Sequence, residues 1–355
     1  MLFRSVEATL NLQETDRVPV YDLMFNDPCM EYFTGKIAPF GEEGVKVKCK
    51  TIRKSLDMTR AADGGPNIPG SSEDEDGFVY TFDRWCGLGY IKKPFIDEPG
   101  AVEWLKKANH RLARELKELD AGKIAKTLRD RFLIVQKMIG DDTVVLIRDS
   151  GTGLDHVRQK LGLQLFSYIE YDEPDLISEY MELFTSIEIR IIQAYADKKL
   201  SPCALTFGDI AMKNTLIHSP SWLRKEFIPR LKKINDAYHE MEIKCLFHSD
   251  GNIMEIAEDL ITAGIDGLNP IETIAGMNLA DLKQLYGSKL FFAGGIDMSQ
   301  LLSNGNCEDV RKTCKEAIEV ASPGYFLGST TELDNSAKLD NILTMLKTAG
   351  VDIRC

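Results

Sequence analysis

Several familiar signals are missing from this sequence. Its 355 residues contain no GxGxxG turn, no GxSxG elbow, no Walker loop and no HExxH pair. Those absences weaken nucleotide-binding, serine-hydrolase and zinc-protease readings. None of the eight cysteines forms a CxxC pair. Cys29, Cys49, Cys86, Cys203, Cys245, Cys307, Cys314 and Cys355 are scattered through a long chain, which predicts reduced, mostly buried thiols rather than a disulfide framework. Cys307 and Cys314 share one face of an expected helix, and no chemistry is assigned to them. Positive charge is in deficit: 43 basic residues face 55 acidic ones, for a net charge of −12. Non-specific nucleic-acid binding needs the opposite balance. No apolar run approaches the roughly 20 residues of a membrane helix. The opening stretch also lacks the apolar core and cleavage site of a secretory signal, so a cytoplasmic location is expected.

What remains is ordinary globular material, 44% hydrophobic and 28% charged, with no internal repeat and no low-complexity tract. From Thr143 onward short apolar runs alternate with helical patterns. The runs are Val144–Ile147, Cys203–Phe207, Ile243–Phe247, Ile265–Leu268, Lys289–Ala293 and Tyr325–Leu327, with an earlier one at Val18–Leu23. Ser219-Pro220 reads as a serine cap and first-turn proline opening a helix that runs to about Glu240. Gly264 reads as the stop of a helix over Asn252–Ala263. Strands alternating with helices predict a parallel sheet. Nearly every run ends in polar or glycine residues, which is what a barrel collecting its site from many strand ends requires. The expected fold is therefore α/β, a single (β/α)8 TIM barrel over residues 1–355. Residues 1–142 would include N-terminal helices, a loop at 62–77 and a short hairpin around Phe78–Phe82 and Gly87–Ile91. Glycine, proline and acids in the 62–77 segment argue against a regular element there.

The sharpest local signal is Cys245–Gly251, CLFHSDG. His248 and Asp250 stand two residues apart where a strand gives way to a loop, so imidazole and carboxylate can converge on one divalent ion or one substrate. A histidine steadied by a neighbouring acid, without a metal, has the same spacing. Glu272, in the next strand-end segment, and Glu332, after the last strand, are candidate further ligands. Asp209 is a strand-end acid, and Arg148, Asn269 and Asp297 are strand-end polar groups suited to substrate binding. In the N-terminal half, Tyr80, Phe82 and Trp85 offer an aromatic lining beside Asp83 and Arg84.

Taken together, the segments Asp16-Arg17-Val18-Pro19-Val20, Asp172-Glu173-Pro174, HSDGNI, GIDGLNPIE, the strand ending GGID, and GYFLGS resemble the uroporphyrinogen decarboxylase superfamily. The resemblance covers nearly the whole chain, and it implies a (β/α)8 barrel. True decarboxylases of that superfamily carry an arginine-rich stretch after the first strand, to hold a polycarboxylate tetrapyrrole. Here that place reads Tyr21-Asp22-Leu23-Met24-Phe25-Asn26-Asp27, with two acids and no arginine. Asp83 lies near the place of the decarboxylase's acting aspartate, in surroundings that differ. The corrinoid-linked methyltransferase branch is more similar. Its members bind zinc through a His-x-Cys pair and a later cysteine. His248 matches the histidine, Asp250 stands at the first cysteine and Thr331 near the second.

The resemblance thus implies a methyltransferase that moves a methyl group from a small methoxylated, aromatic or other donor to the cobalt of a corrinoid on a separate protein. No corrinoid-binding DxHxxG motif occurs in the chain itself. Zn2+ held by His248 and Asp250, with Glu272 or Glu332, would be a harder Lewis acid than a thiolate-bound ion. His248, Asp250, Asp83 and Asp209 are the candidate catalytic groups. The alternatives are tetrapyrrole decarboxylation and a catalytically silent barrel acting as a binding component. A homodimer is one admissible assembly.

Overall fold

The computed structural model describes residues 2–353, so Cys355 lies outside the described residues. Eleven strands appear among the described residues. They are β1 (Met58–Thr59), β2 (Gly70–Glu73), β3 (Val79–Phe82), β4 (Gly87–Lys92), β5 (Val144–Val145), β6 (Asp149–Gly151), β7 (Cys203–Phe207), β8 (Lys244–His248), β9 (Gly267–Asn269), β10 (Phe291–Ile296) and β11 (Tyr325–Ser329). A six-stranded parallel sheet runs β6-β7-β8-β9-β10-β11, and β1 pairs in parallel with β5.

Closure comes from short connections. Val20 bridges Leu327 and Tyr21 bridges Met58, both in parallel, so the segment around residues 19–21 lies between β11 and β1. Asp57 pins that segment: its carboxylate pairs with Arg17 at 2.6 and 2.8 Å and accepts the Val20 N–H at 2.8 Å. On the far side, β5 and β6 act as one broken strand, because Leu146 N–H donates to Thr59 and Ile147 N–H to Cys203. With that pair counted once, eight parallel strands form a closed (β/α)8 barrel.

The barrel is filled by a layer of apolar side chains in which Tyr21, Met58, Leu146, Leu205, Leu246, Ala293 and Phe326 meet. Val6 and Leu10 join the same cluster from the helix Leu2–Leu10, which plugs the amino-terminal end of the strands. A second, larger cluster packs the surrounding helices on the outside of the wall. This division is the normal consequence of alternation along strands, one face inward and one outward.

Two local expectations need correction. The 62–77 stretch is not wholly irregular, since β2 occupies Gly70–Glu73 and pairs antiparallel with β3, adding a third strand to the hairpin of β3 and β4. All four residues of β2 are exposed. An edge strand of this kind is held by its backbone ladder and leaves no apolar alternation to read. The helix after Ser219 is also not uniform. Ser219 Oγ accepts the Trp222 N–H as expected, but Leu223–Phe227 winds as a π-turn before the helix Ile228–His239. Pro229 has no N–H to give the preceding turn, which accounts for the slipped register.

Candidate active site

The carboxyl end of β8 delivers His248. Its Nδ1 lies 2.8 Å from Asn269 Oδ1, at the end of β9. Asn269 Nδ2 donates to the Ala293 carbonyl at 3.1 Å, which turns its Oδ1 toward the imidazole. The proton therefore sits on Nδ1, and the Nε2 lone pair is left free. That nitrogen is 3.9 Å from Asp209 Oδ1 and 3.9 Å from Asp250 Oδ1. The three ligand atoms all lie within 4.8 Å of one another. Donor atoms around a single ion at about 2.1 Å stand roughly 3–4 Å apart, so the trio suits one divalent cation of the zinc type.

Each member is held from behind. Asp209 offers its N–H to both oxygens of Asp155 at 3.2 Å, and Asp155 pairs with Arg158. Asp250 N–H leans on Asp209 Oδ1 at 3.4 Å. Burial raises the Asp250 carboxyl, and Asp209, Glu272 and Glu332 add to the rise against the pull of His248. Gly251 permits the tight turn after this acid. Its φ is +82°, and a Cβ there would stand 2.6 Å from the backbone of residues 211–212.

The other sequence candidates are placed differently. Glu272 spends Oε2 on the Gly251 N–H at 2.7 Å, which makes it a support of the loop rather than a member of the trio. Glu332 accepts from Thr331 Oγ1 at 2.6 Å and from Cys86 Sγ at 3.8 Å, tying the β3–β4 turn to the barrel mouth. The Cys86 thiol is pushed up to about 11 by burial and by Glu332 and Asp83. Asp83 accepts the Trp85 and Cys86 amides at 2.8 and 2.7 Å, a side-chain turn that organises the hairpin. Arg84 pairs with Asp27 at 2.8 and 2.9 Å. Asp297 accepts the amides of Ser299, Gln300 and Leu301 and is a helix cap. Trp85 stacks on Phe25 with centroids 5.8 Å apart, whereas Tyr80 packs on Phe82 and Tyr90 within the small sheet.

Arg148 points away from the mouth. It pairs with Glu188 on the helix Pro174–Tyr195 at 2.6 Å and lines a separate cavity of about 310 Å³ with Asp63, Arg131 and Tyr195. The reason is a bend at Ile147 between β5 and β6. Leu146 faces inward, but the bend reverses the alternation, so Asp149 turns inward to Arg60 at 2.9 Å and Arg148 turns out.

Three participants at the mouth were missed. Asp155 follows a glycine-rich turn with no apolar run to flag it. Arg60 follows the two-residue strand β1, too short to register as a strand in sequence. Tyr21 reads there only as part of an apolar run. Asp22, one of the two acids of the Tyr21–Asp27 segment, is fully buried, and it accepts Ser329 N–H at 2.8 Å and Ser329 Oγ at 2.9 Å. Burial, offset in part by those donors, pushes its carboxyl up to about 7.

The uroporphyrinogen decarboxylase family model matches residues 162–350, more than half of the chain. The chain belongs to the uroporphyrinogen decarboxylase family. Among solved structures, a methyltransferase from Methanosarcina mazei superposes with a TM-score of 0.65 at 18% identity, covering 98% of this chain and 98% of that one. A B12-independent methionine synthase from Shewanella sp. W3-18-1 follows at a TM-score of 0.47 and 9% identity, over 95% and 97% of the two chains. At such identities the likeness is one of fold. No curated protein matches the sequence. Among the described residues no helix is long and apolar enough to cross a membrane.

Proposed function

We propose that this chain is a metal-dependent methyltransferase that takes a methyl group from a small methoxylated donor and delivers it to the cobalt of a corrinoid carried by another protein. The observation that carries this reading is the trio of Asp209, His248 and Asp250, in which the Asn269 bond leaves Nε2 free toward two carboxylates. Those three residues would hold the ion, and their nitrogen and oxygen donors suit zinc or a harder divalent metal. Bound there, such an ion supplies Lewis acidity toward the methyl-bearing oxygen.

The chain's own residues supply the rest. Asn269 fixes the imidazole tautomer and ring angle, and Asp155 fixes Asp209, so the donor set is organised before any ligand arrives. The β3–β4 turn, anchored through Arg84 to Asp27 and through Cys86 to Glu332, borders the mouth. The methyltransferase fold match supports the reaction class. Tetrapyrrole decarboxylation is the weaker reading, because Asp22, Asp209, Asp250 and Glu332 make the mouth acidic where a polycarboxylate would need basic groups.

The test is elemental analysis of protein purified with zinc supplied, alongside His248→Ala. Near-stoichiometric metal in the parent and its loss in the variant are expected, followed by demethylation of methoxylated compounds with a cobalt(I) corrinoid acceptor. A parent protein that takes up no divalent metal would overturn the reading.

A further inference from the structure

Tyr21 belongs to the interior layer of the barrel, and Arg60 stands just above it, paired with Asp149. Met58 belongs to the interior cluster, and Arg60, two residues on, continues that inward face toward the carboxyl end. Leu205 and Phe207, and Leu246 and His248, repeat the same step on β7 and β8. Arg60, Phe207 and His248 thus follow the interior layer at the mouth, with the strand bearing Phe207 standing between the other two. The Phe207 ring packs over Gly151, where a Cβ would come within 2.9 Å of it, and the side chain stays partly exposed at the strand end.

The hydrogen bonding around Arg60 is incomplete. Of the five N–H donors of a guanidinium, one meets a carboxylate, Nη1 to Asp149 Oδ2 at 2.9 Å. Among the described residues Arg60 Nε is buried without a partner, and the Tyr21 hydroxyl beside it takes a bond from the guanidinium but has no acceptor for its own proton. Burial drives the Tyr21 ionisation far above its usual range, so this group stays a hydroxyl that can donate. A buried guanidinium N–H and a hydroxyl proton that both lack an acceptor are rare in folded proteins and suit an incoming oxygen. The guanidinium also matches a carboxylate in shape as well as charge.

We propose that Arg60 and Tyr21 form a carboxylate subsite, so that the ligand of this barrel is a flat acid whose anionic end sits on Arg60 while its body crosses Phe207 toward His248. Its place in the reaction rests on the methyl-transfer reading, since it makes the methyl donor an aryl acid, but its binding does not. Asp149 is the native competitor for the guanidinium and yields only one contact to it.

The test uses benzoate and its neutral counterpart benzamide, titrated calorimetrically into metal-free protein. Benzoate is expected to bind at least tenfold more tightly than benzamide. Arg60→Met should erase that preference, Arg60→Lys should restore part of it, and Tyr21→Phe should weaken benzoate several-fold. His248→Ala should leave benzoate binding intact. Circular dichroism and thermal melts of each variant separate lost binding from lost folding, and Arg60→Lys keeps the test open if Arg60→Met does not fold. Equal binding of the two probes, no binding of either, or an unchanged preference in Arg60→Lys and Arg60→Met would overturn the subsite. Benzoate binding in a protein that never takes up metal would uphold the subsite and remove the methyl-transfer reading alone.

Discussion

At the scale of single residues, the site is decided by second partners. In the proposed metal site, His248 can offer Nε2 because Asn269 holds the proton on the other nitrogen. Asn269→Ala is expected to weaken metal binding about 10–100-fold while leaving all three ligand residues in place. Competition with a chromogenic chelator reads that change directly, and an unchanged affinity would show that the tautomer is fixed some other way. Asp22 makes a different prediction. Its folded carboxyl titrates at about 7, against 3.8 for a free side chain, because burial outweighs the Ser329 and Leu23 donors. The folded state therefore holds this proton after the unfolded chain has released it. The stabilisation associated with it is fully present below pH 3.8 and is lost progressively as pH rises to about 7, at roughly 1.4 kcal/mol per unit. Asp22→Asn keeps an oxygen acceptor for Ser329 but removes the titration. Urea unfolding across that range should show a flatter pH dependence in the variant than in the parent.

At the scale of elements, the small sheet is fastened by the buried Phe78 and by Asp74 to Lys160 at one end, and by Asp27 at the β3–β4 turn. Asp27 takes two bonds from Arg84 and one each from Trp85 and Asn335. Asp27→Ala should raise amide exchange across residues 70–92 and cost about 1–3 kcal/mol, because Arg84 loses its charged partner. Metal content should stay unchanged, since the trio stands on β7, β8 and the loops after them. Exchange that rises throughout the barrel instead would mean that the hairpin is integral to the core. The same element explains what was readable in sequence. The strands β7, β8, β10 and β11 are long, apolar and buried, so they announce themselves and carry His248, Asp209 and Asp250 with them. Strand β1 has two residues, β2 has no apolar alternation, and β5–β6 is broken by a bend that exchanges the faces of Arg148 and Asp149. The roles of Arg60 and Arg148 were therefore hidden by geometry that no periodicity reports. Asp83 and Asp297 had the right residue type for chemistry, but short turns and helix starts use aspartate for the same hydrogen-bonding reason.

At the scale of the whole molecule, the barrel gathers acids at one end of a chain that already carries a net charge of −12. Asp209 and Asp250 approach His248 closely, and Asp22, Glu272 and Glu332 act on the same region. Without a cation this arrangement stores repulsion, which the fold tolerates because eight strand ends and the packing beneath them hold the loops in place. A divalent ion should consequently stabilise the entire barrel rather than one loop. A ligand present at a hundred times its dissociation constant adds about 2.7 kcal/mol. For a chain of this length that corresponds to a rise in melting temperature of roughly 3–4 °C. The parent protein stripped with chelator should melt lower by that amount and recover on addition of zinc. His248→Ala should show neither the loss nor the recovery. Sodium chloride at matched ionic strength separates the two causes, because screening eases general repulsion in both proteins alike. A zinc-induced rise of equal size in His248→Ala would place the stabilising cation elsewhere on the acidic surface and detach it from the trio.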